Sequence, residues 1–299
     1  MTIAISSVAA FAEGVAAARS VDFAAYTLHA GRVRDALVTA ARAGAQVRVR
    51  LERAPLDDAD GTLAAENGAA VGLLRQAGAD AALTAPGAPL AHLKAALVDG
   101  VGWLDDRNWS ADASETVVRD SDAADVAALR EALDGRGSSA GGALQTTKGQ
   151  AAAAEAGLVR AAGAGPLAVE TESFGTGAVY AALLARGRAG LPVRLLVAGR
   201  EARQPGSAGD RERRCLARLA GLGVEIRVGA AAGADVSEKL AVAPDAAWIG
   251  SANATYAGGQ AGRQADWGLA TRDGELVDRL RAAFEANWQR SSTEGRSAG

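Results

Sequence analysis

Hydrophobic and polar residues follow two alternating patterns along the first half of the chain. Short apolar runs rich in β-branched residues predict strands, and longer runs with apolar residues three and four positions apart predict helices. In chain order, the predicted elements are a strand at Val21–Leu28, a helix at Gly31–Arg42, a strand at Val47–Leu51, a helix at Gly61–Ala77, strands at Ala95–Val98 and Val101–Leu104, and a helix at Asp122–Leu133. Asp99 and Gly100, between the last two strands, predict a tight hairpin turn. Strands that alternate with helices predict an α/β architecture, in which helices cover sheets.

The second half of the chain repeats this order of elements. Its predicted strands and helices are Leu167–Glu172, Gly177–Arg188, Val193–Val197, Asp210–Ala220, Val224–Val228, Leu240–Val242, Ala247–Ile249 and Glu275–Gln289. A stretch rich in Gly, Ala and Ser, Gly135–Gly165, separates the two halves and is expected to hold the join between them.

The two halves also match residue by residue. A shift of 145 residues superposes Lys94 on Lys239, Trp103 on Trp248, and Asn108 on Asn253. The chain contains only three lysines and four asparagines, so coincidence is a poor explanation for these matches. We therefore interpret the chain as two copies of one unit, residues 1–145 and residues 146–299.

The composition excludes several classes of protein. Of the 299 residues, 49% are hydrophobic and 22% are charged, which is too apolar and too evenly charged for a disordered chain. The single cysteine, Cys215, excludes an internal disulfide framework and a thiolate cage for zinc. A net charge of −3 argues against a broad electrostatic grip on nucleic acid, and no apolar run has the length of a membrane span. A protein of the cytoplasm is the expectation.

Scarce polar residues gather in one segment of each half. The first segment holds His92, Lys94, Asp99 and Asn108, and the second holds Ser237, Lys239, Ser251 and Asn253. Because residues i and i+2 of a strand share a face, His92 and Lys94 are expected to point into one pocket. A neutral His is a nucleophile, a Lys supplies a fixed positive charge, and an Asn supplies amide donors. Together they fit a phosphate, whose oxygens they stabilise in the transition state without a metal.

This pattern, His-x-Lys-x4-Asp followed by Asn and duplicated in one chain, resembles the phospholipase D superfamily. The resemblance implies two units, each a mixed sheet flanked by helices, that pack about a pseudo-twofold axis with one active site in the cleft. It implies that phosphodiesters are cleaved or transferred through a phosphohistidine, with no cofactor. In that family one motif's histidine attacks, and the other motif's histidine protonates the leaving oxygen. Glu115 and Asp266 lie where the family often has an acidic residue that orients the motif histidine.

The second motif departs from the family pattern. Ser237 stands in place of its histidine, and Pro244 stands at its aspartate position. A serine cannot act as an acid near neutral pH, and general acid help typically contributes about 10²–10⁴ in rate. Candidates for a substitute acid at strand ends are His29, Glu170 and Glu172.

Several other candidates have plain structural interpretations. Asp99 is expected to cap backbone amides at its turn rather than to take part in catalysis. Asp105 and Asp106 replace the Gly-Ser of the first motif, and their charges oppose the positive potential that a phosphate site needs. Arg211–Arg214 is expected to be a solvated helix face rather than a nucleic-acid patch. Glu115 is equally consistent with a partner of His92 and with a surface charge.

Three functions remain open at this point. The first is a metal-independent phosphodiesterase or phosphatidyltransferase with His92 as nucleophile and a phospholipid or related phosphodiester as substrate. The second is a degenerate relative that binds a phosphate ester or a partner without turnover, which the missing second histidine motivates. The third is a nuclease of the same chemistry, against which the net charge of −3 counts.

Overall fold

The computed structural model describes residues 3–56, 58–110, 116–136, 142–199, 206–229, 236 and 238–293. The chain divides into two compact units, each of which combines a sheet with helices. Unit 1 comprises Met1–Lys148 and Arg263–Trp267, and unit 2 comprises Gly149–Gly262 and Gly268–Gly299. A short segment from late in the chain therefore belongs to the first unit.

Unit 1 contains a mixed sheet in the order β1-β7-β6-β5-β2-β3-β4. Its strands are β1 (Ile3–Ser6), β2 (Ser20–Ala25), β3 (Gln46–Leu51), β4 (Asp80–Leu83), β5 (Ala95–Val98), β6 (Val101–Asp105) and β7 (Val117–Asp120). Its helices are α1 (Val8–Ala16), α2 (Arg32–Arg42), α3 (Thr62–Gln76) and α4 (Ala123–Leu133). Strands β2, β3 and β4 pair in parallel, and the remaining pairs are antiparallel.

The second sheet has eight strands, in the order β15-β11-β10-β9-β12-β13-β14-β8, where β8 is Leu144–Thr147, and the order from β11 to β8 repeats that of the first sheet from β4 to β1. The remaining elements belong to unit 2. Its strands are β9 (Leu167–Thr171), β10 (Val193–Val197), β11 (Glu225–Val228), β12 (Leu240–Val242), β13 (Ala247–Gly250), β14 (Ala265–Thr271) and β15 (Ser292–Thr293). Its helices are α5 (Lys148–Ala161), α6 (Ala178–Arg188), α7 (Ser207–Ala220) and α8 (Gly274–Arg290). The strands β9, β10 and β11 are parallel, and β12, β13 and β14 follow as antiparallel neighbours.

Three parallel strands followed by three antiparallel strands thus occur twice, which confirms the expected duplicated α/β fold with mixed sheets. Strand β8 (Leu144–Thr147) lies beside β14, whose first residues, Ala265–Trp267, also belong to unit 1. The equivalent tryptophans Trp103 and Trp248 are buried, each within the core of its own unit.

The hairpin between β5 and β6 forms as predicted. Asp99 and Gly100 both adopt positive φ, at 47° and 84°. Two successive left-handed residues make the turn that matches the twist of paired strands.

The first predicted strand ends three residues earlier than expected, at Ala25 rather than Leu28. The buried side chain of Asn67, on α3, takes over the backbone groups that follow. Its amide donates to the carbonyls of Tyr26 and Glu52, both at 2.8 Å, and its oxygen accepts from Leu28 N at 3.0 Å. This cross-link satisfies the buried backbone where the sheet ladder stops, and it fixes Tyr26 beside the site.

The boundary between the two units, at Lys148 and Gly149, falls within the expected join at Gly135–Gly165, which also contains β8 and α5. Helix α5 is rich in alanine, which has the highest helix propensity but gives no contrast between apolar and polar faces. The same weak contrast explains why the short strand β4 is not predicted from the pattern. The elements β1, α1, β7 and β14 are also absent from the predicted set.

Candidate active site

His92 lies in the segment that leads into β5, rather than on the strand itself as predicted. The neighbouring Ala91 forms an isolated parallel bridge with Ala265, and Ala265 N donates to Leu90 O at 2.8 Å. The late segment Arg263–Trp267 is therefore held against the backbone that carries His92, within unit 1.

A buried carboxylate orients the His92 ring. Nδ1 of His92 donates to Oδ1 of Asp266 at 2.7 Å, and the Asp266 side chain is completely buried. The other carboxylate oxygen, Oδ2, accepts from Nε2 of Gln264 at 2.7 Å. The ring of Tyr26 meets the imidazole edge-on, with 4.9 Å between centroids. The imidazole is thus fixed by a carboxylate at one nitrogen and by an aromatic ring at its side.

Lys94 occupies the other ring nitrogen, although its backbone is not in a regular strand with His92. Its Nζ is 2.9 Å from His92 Nε2 and 3.0 Å from the His92 carbonyl oxygen. It is almost fully buried and lies 5.4 Å from the centroid of the Tyr26 ring. An ammonium group can only donate, so Nε2 accepts and the ring proton is on Nδ1, facing Asp266. This is the tautomer whose Nε2 lone pair can act as a nucleophile.

The turn after β6 is organised by the two aspartates that replace Gly-Ser. Oδ2 of Asp105 accepts from the backbone N of Arg107 at 3.2 Å and of Trp109 at 2.6 Å. Oδ1 of Asp106 accepts from Thr116 N at 3.2 Å. These carboxylates are buried in backbone hydrogen bonds, so their role is to shape the turn that carries Asn108. Within the part of the chain that the structure describes, the buried Oδ1 of Asn108 has no hydrogen-bond partner.

Asp99, the aspartate of the first motif, lies at the opposite end of β5 from His92. Its Oδ1 accepts from Ser20 N at 2.9 Å and from Arg19 N at 3.0 Å. These bonds, first that of Ser20 and then that of Arg19, lower the pKa of the Asp99 carboxyl. Asp99 therefore fastens the hairpin turn to the start of β2.

In unit 2 the second motif is built differently. Nζ of Lys239 lies 3.2 Å from Oε2 of Glu172. Oδ1 of Asn253 accepts from Ser173 N at 3.2 Å, and Ser251 is fully buried. Lys239 is nearly fully buried as well. The carboxylate that its ammonium faces, that of Glu172, belongs to the same unit. Ser237 and Glu115 lie outside the described residues.

The candidates for a substitute acid have partners of their own. Nδ1 of His29 is 2.7 Å from Oε2 of Glu66 in a half-exposed pair. Oε1 of the buried Glu170 accepts from Nδ2 of Asn287 at 2.9 Å, and the same amide donates to Glu238 at 2.7 Å.

Three residues around His92 were not assigned roles from the sequence: Tyr26, Gln264 and Lys148. Lys148 N donates to Gln264 O at 2.9 Å, which places this buried lysine beside the Asp266 segment. Burial lowers the pKa of Lys148, and the negative charge of Asp266 opposes that shift. The sequence contains one signal that could have drawn attention to Lys148. The chain has only three lysines, and Lys148 is the one without an equivalent in the other half.

Among the described residues, no group of three or more His, Cys, Asp or Glu side chains is arranged to hold a metal ion. Nor does any helix in the described ranges have the length and apolar character needed to cross a bilayer.

Two α/β units of equal topology, one of which has a carboxylate-oriented histidine and an adjacent lysine, form the duplicated fold that the resemblance to the phospholipase D superfamily implies. Solved structures share this fold. Phosphatidylserine synthase from Haemophilus influenzae Rd KW20 matches with a TM-score of 0.68 and 11% identity, over 97% of this chain and 87% of its own. Polyphosphate kinase from Porphyromonas gingivalis matches with a TM-score of 0.64 and 16% identity, over 96% of this chain and 50% of its own.

The chain thus spans about half the length of that polyphosphate kinase. Nuc from Salmonella typhimurium, a phospholipase D family member, matches with a TM-score of 0.40 and 15% identity, over 47% of this chain and 88% of its own. No protein-family model and no curated protein matches the sequence. The expected duplicated α/β fold is confirmed by the likeness to the synthase and the kinase, whose identities of 11% and 16% show a shared fold.

Proposed function

We propose that this protein is a phosphodiesterase or phosphatidyltransferase that works through a phosphohistidine on His92. The observation that carries the proposal is the hydrogen bond from His92 Nδ1 to the buried carboxylate of Asp266 at 2.7 Å. It holds the ring proton on Nδ1 and leaves the Nε2 lone pair for attack. A histidine packed for structural reasons does not need a buried charge at one nitrogen and an ammonium at the other.

In the first step, Nε2 of His92 forms a bond to phosphorus, and the bond from phosphorus to the leaving oxygen breaks. The Nδ1 proton stays hydrogen-bonded to Asp266, whose negative charge stabilises the positive charge that the ring acquires. In the second step, the oxygen of water or of an acceptor alcohol bonds to phosphorus, and the phosphorus–nitrogen bond breaks. Water yields hydrolysis, and an alcohol yields transfer. The attacking water or alcohol releases its proton to the solvent, and the leaving oxygen of the first step takes one up from the solvent.

Lys94 is the electrostatic partner in this mechanism. Its ammonium, already 2.9 Å from Nε2, lies where the phosphate oxygens approach during attack. Three N–H donors allow it to turn from the ring nitrogen to a phosphate oxygen as charge develops there. The amide of Asn108, on the turn after β6, is the further donor that we assign to the phosphate.

A phospholipid or related phosphodiester is the substrate that we favour, and the likeness in fold to a phosphatidylserine synthase over 97% of this chain supports it. A nuclease of the same chemistry is less favoured because the net charge is −3. We place the enzyme in the cytoplasm, and the mechanism uses neither a metal nor a cofactor.

One observation favours the degenerate binder as a second candidate. Lys239, the lysine of the second motif, already faces Glu172 at 3.2 Å, and Ser237 stands where the family has its second histidine. A motif whose lysine is paired and whose acid is replaced contributes less to turnover. The two candidates differ in one respect that can be measured, which is whether His92 becomes phosphorylated.

The test compares an activated aryl phosphodiester with a phosphatidyl lipid, both in EDTA to exclude a contaminating metalloenzyme. Wild type is compared with His92→Ala, and His29→Ala is the matched control because His29 is the only other histidine. We expect the activated diester to turn over in wild type and in His29→Ala but not in His92→Ala. The phosphorus–nitrogen bond of a phosphohistidine is labile in acid. The adduct on the His92 peptide is therefore trapped at alkaline pH before mass spectrometry.

The two substrates separate the steps. An activated leaving group needs no acid, so its release in the first step reports on attack by the nucleophile. Turnover of the phosphatidyl lipid as well means that an acid operates, and Glu172 and His29 are then the residues to replace. Binding of a phosphate ester without turnover of either substrate and without an adduct favours the degenerate binder and rejects the enzyme.

A further inference from the structure

A cavity of about 320 Å³ lies in unit 2 between helices α6 and α7. It is lined by Thr176, Tyr180, Arg211, Arg214, Cys215 and Arg218. None of these six residues is acidic, and three of them carry a full positive charge. The volume falls at the lower end of the range of small-ligand pockets.

The three arginines share one face of α7, because Arg211, Arg214 and Arg218 follow the i, i+3, i+7 spacing. They span about 10 Å along the helix axis at 1.5 Å per residue. In the described part of the chain none of them forms an ion pair. Arg213 on the same helix differs, since it pairs with Asp210. The face was expected to be simply solvated, but the structure gives it a concave surface and a set of hydroxyl neighbours.

Neutral donors complete the cavity. Tyr180 and Thr176 contribute hydroxyl groups, and burial raises the pKa of Tyr180 above its ordinary value. Helix α6 begins at Ala178, and its N-cap residue, Gly177, has no side chain to bond the first amides. Helices α4 and α8, by contrast, are capped by the side chains of Asp122 and Asp273. The cavity therefore adjoins a helix N-terminus whose first turn has no side-chain cap.

One side of the cavity, at Thr176 and Tyr180, follows the carboxyl end of β9. Strands β9 and β10 are parallel, so their carboxyl ends, Thr171 and Val197, meet at one edge of the sheet. Helices α6 and α7 begin after these ends. In open α/β sheets, ligands bind outside the carboxyl ends of the strands.

We propose that this cavity binds a diphosphate group. Three guanidinium groups match the charge of a diphosphate better than that of a single phosphate, and each can form two parallel hydrogen bonds to phosphate oxygens. The hydroxyls of Thr176 and Tyr180 supply additional donors. Because every lining residue belongs to unit 2, the proposal does not depend on the chemistry of His92.

The test is titration calorimetry of the full chain with inorganic diphosphate, inorganic phosphate and a nucleoside diphosphate at low salt. Arg214→Gln removes the central guanidinium, and Arg213→Gln is the matched control on the same helix with the same change of charge. We expect diphosphate to bind at least about tenfold more tightly than phosphate, and Arg214→Gln to lose at least about tenfold in affinity. Arg213→Gln is expected to bind as wild type does. Circular dichroism confirms that each variant is folded.

The remaining titrations identify the kind of molecule that carries the diphosphate, and they exclude binding at other sites. A nucleoside diphosphate that binds more tightly than inorganic diphosphate indicates a nucleotide as the source, and equal affinities indicate that the diphosphate alone is recognised. Absence of diphosphate binding overturns the proposal, as does an equal loss in Arg213→Gln and Arg214→Gln, which indicates unspecific charge. Binding that survives in Arg214→Gln but is lost in Lys94→Ala also overturns it, because the anion then occupies the site of His92.

Discussion

His92 and Asp266 are joined by a hydrogen bond of 2.7 Å although 174 residues separate them along the chain. Asp266 reaches this position because Arg263–Trp267 belongs to unit 1. The orientation of the proposed nucleophile therefore depends on a segment that follows most of unit 2 in the sequence. Substitutions in this segment are therefore expected to change both the activity and the stability of the protein.

Replacing Asp266 with Asn is expected to lower kcat for an activated diester by about 100-fold or more. The amide keeps the shape of the carboxylate but loses the charge that fixes the Nδ1 tautomer and stabilises the charged ring. KM should change little, because Asp266 faces the ring rather than the phosphate. Steady-state kinetics in EDTA measure both constants.

Asp99→Asn provides the control for this substitution, since it makes the same chemical change at the end of β5 that is far from His92. It should leave kcat of the folded protein unchanged. Asp266→Glu should recover part of the lost rate. Equal effects of Asp266→Asn and Asp99→Asn would mean that the Asp266 carboxylate does not act on His92.

Trp267→Phe is expected to destabilise the protein by about 1–3 kcal/mol through a lost hydrogen bond. Trp267 is fully buried, and its Nε1 donates to the Asp105 carbonyl at 2.8 Å, which leaves a buried acceptor without that donor after substitution. The bond also fastens the Asp266 segment, so kcat should fall together with stability. Urea unfolding and diester kinetics test the two effects.

Trp248→Phe is the matched comparison. Trp248 is equally buried, but among the described residues its Nε1 has no hydrogen-bond partner. The same loss of ring volume should then cost less stability and leave kcat unchanged. If both variants lose the same free energy of unfolding, packing rather than the hydrogen bond is what Trp267 contributes.

The sequence predicted the duplicated fold and the cluster around His92 because two independent signals coincided there. Lys94 and Lys239 are scarce residues, and they repeat at one spacing. The contact of Lys94 with His92 follows from that spacing, although the predicted strand geometry was wrong. A local pattern cannot show that Gln264 and Asp266 return to unit 1, because that placement depends on long-range packing. Nor can it show that Asp105 accepts backbone hydrogen bonds rather than opposing a phosphate.

Asp99→Asn is expected to destabilise the protein near neutral pH, and the effect should shrink in acid. Hydrogen bonds from Ser20 and Arg19 lower the pKa of Asp99 below its ordinary value of 3.8. A carboxyl with a lowered folded-state pKa contributes stability above its unfolded value, and this contribution is lost as the pH falls through the folded value. Asn tolerates the positive φ at this position, so the substitution isolates the charge.

Unfolding of wild type and Asp99→Asn between pH 7 and pH 3 measures this dependence. The difference in unfolding free energy should be constant above about pH 5 and decrease below the ordinary value of 3.8. A difference that stays constant down to pH 3 would show that the turn geometry, not the carboxylate charge, carries the effect.

The contribution of Glu155 to the unfolding free energy is expected to have the opposite pH dependence. Its side chain is buried on α5, its Oε1 has no hydrogen-bond partner among the described residues, and burial raises its pKa to about 8. The folded state therefore holds a proton that the unfolded state, with the ordinary value of 4.5, releases earlier. The resulting stability is fully present below pH 4.5 and is lost as the pH rises to about 8. At 1.36 kcal/mol per pKa unit, the loss is of the order of 5 kcal/mol.

Glu155→Gln replaces the neutral acid with a neutral amide of the same shape and removes this dependence. The variant should unfold with nearly the wild-type free energy at pH 5 and should be more stable than wild type by about 4 kcal/mol at pH 8.5. Glu225→Gln, at an exposed position of β11, should follow the wild-type profile. Urea unfolding at intervals from pH 5 to pH 8.5 gives the three curves. Parallel curves for Glu155→Gln and wild type would mean that Glu155 is ionised in the folded protein at neutral pH and that a charged or polar partner compensates its burial.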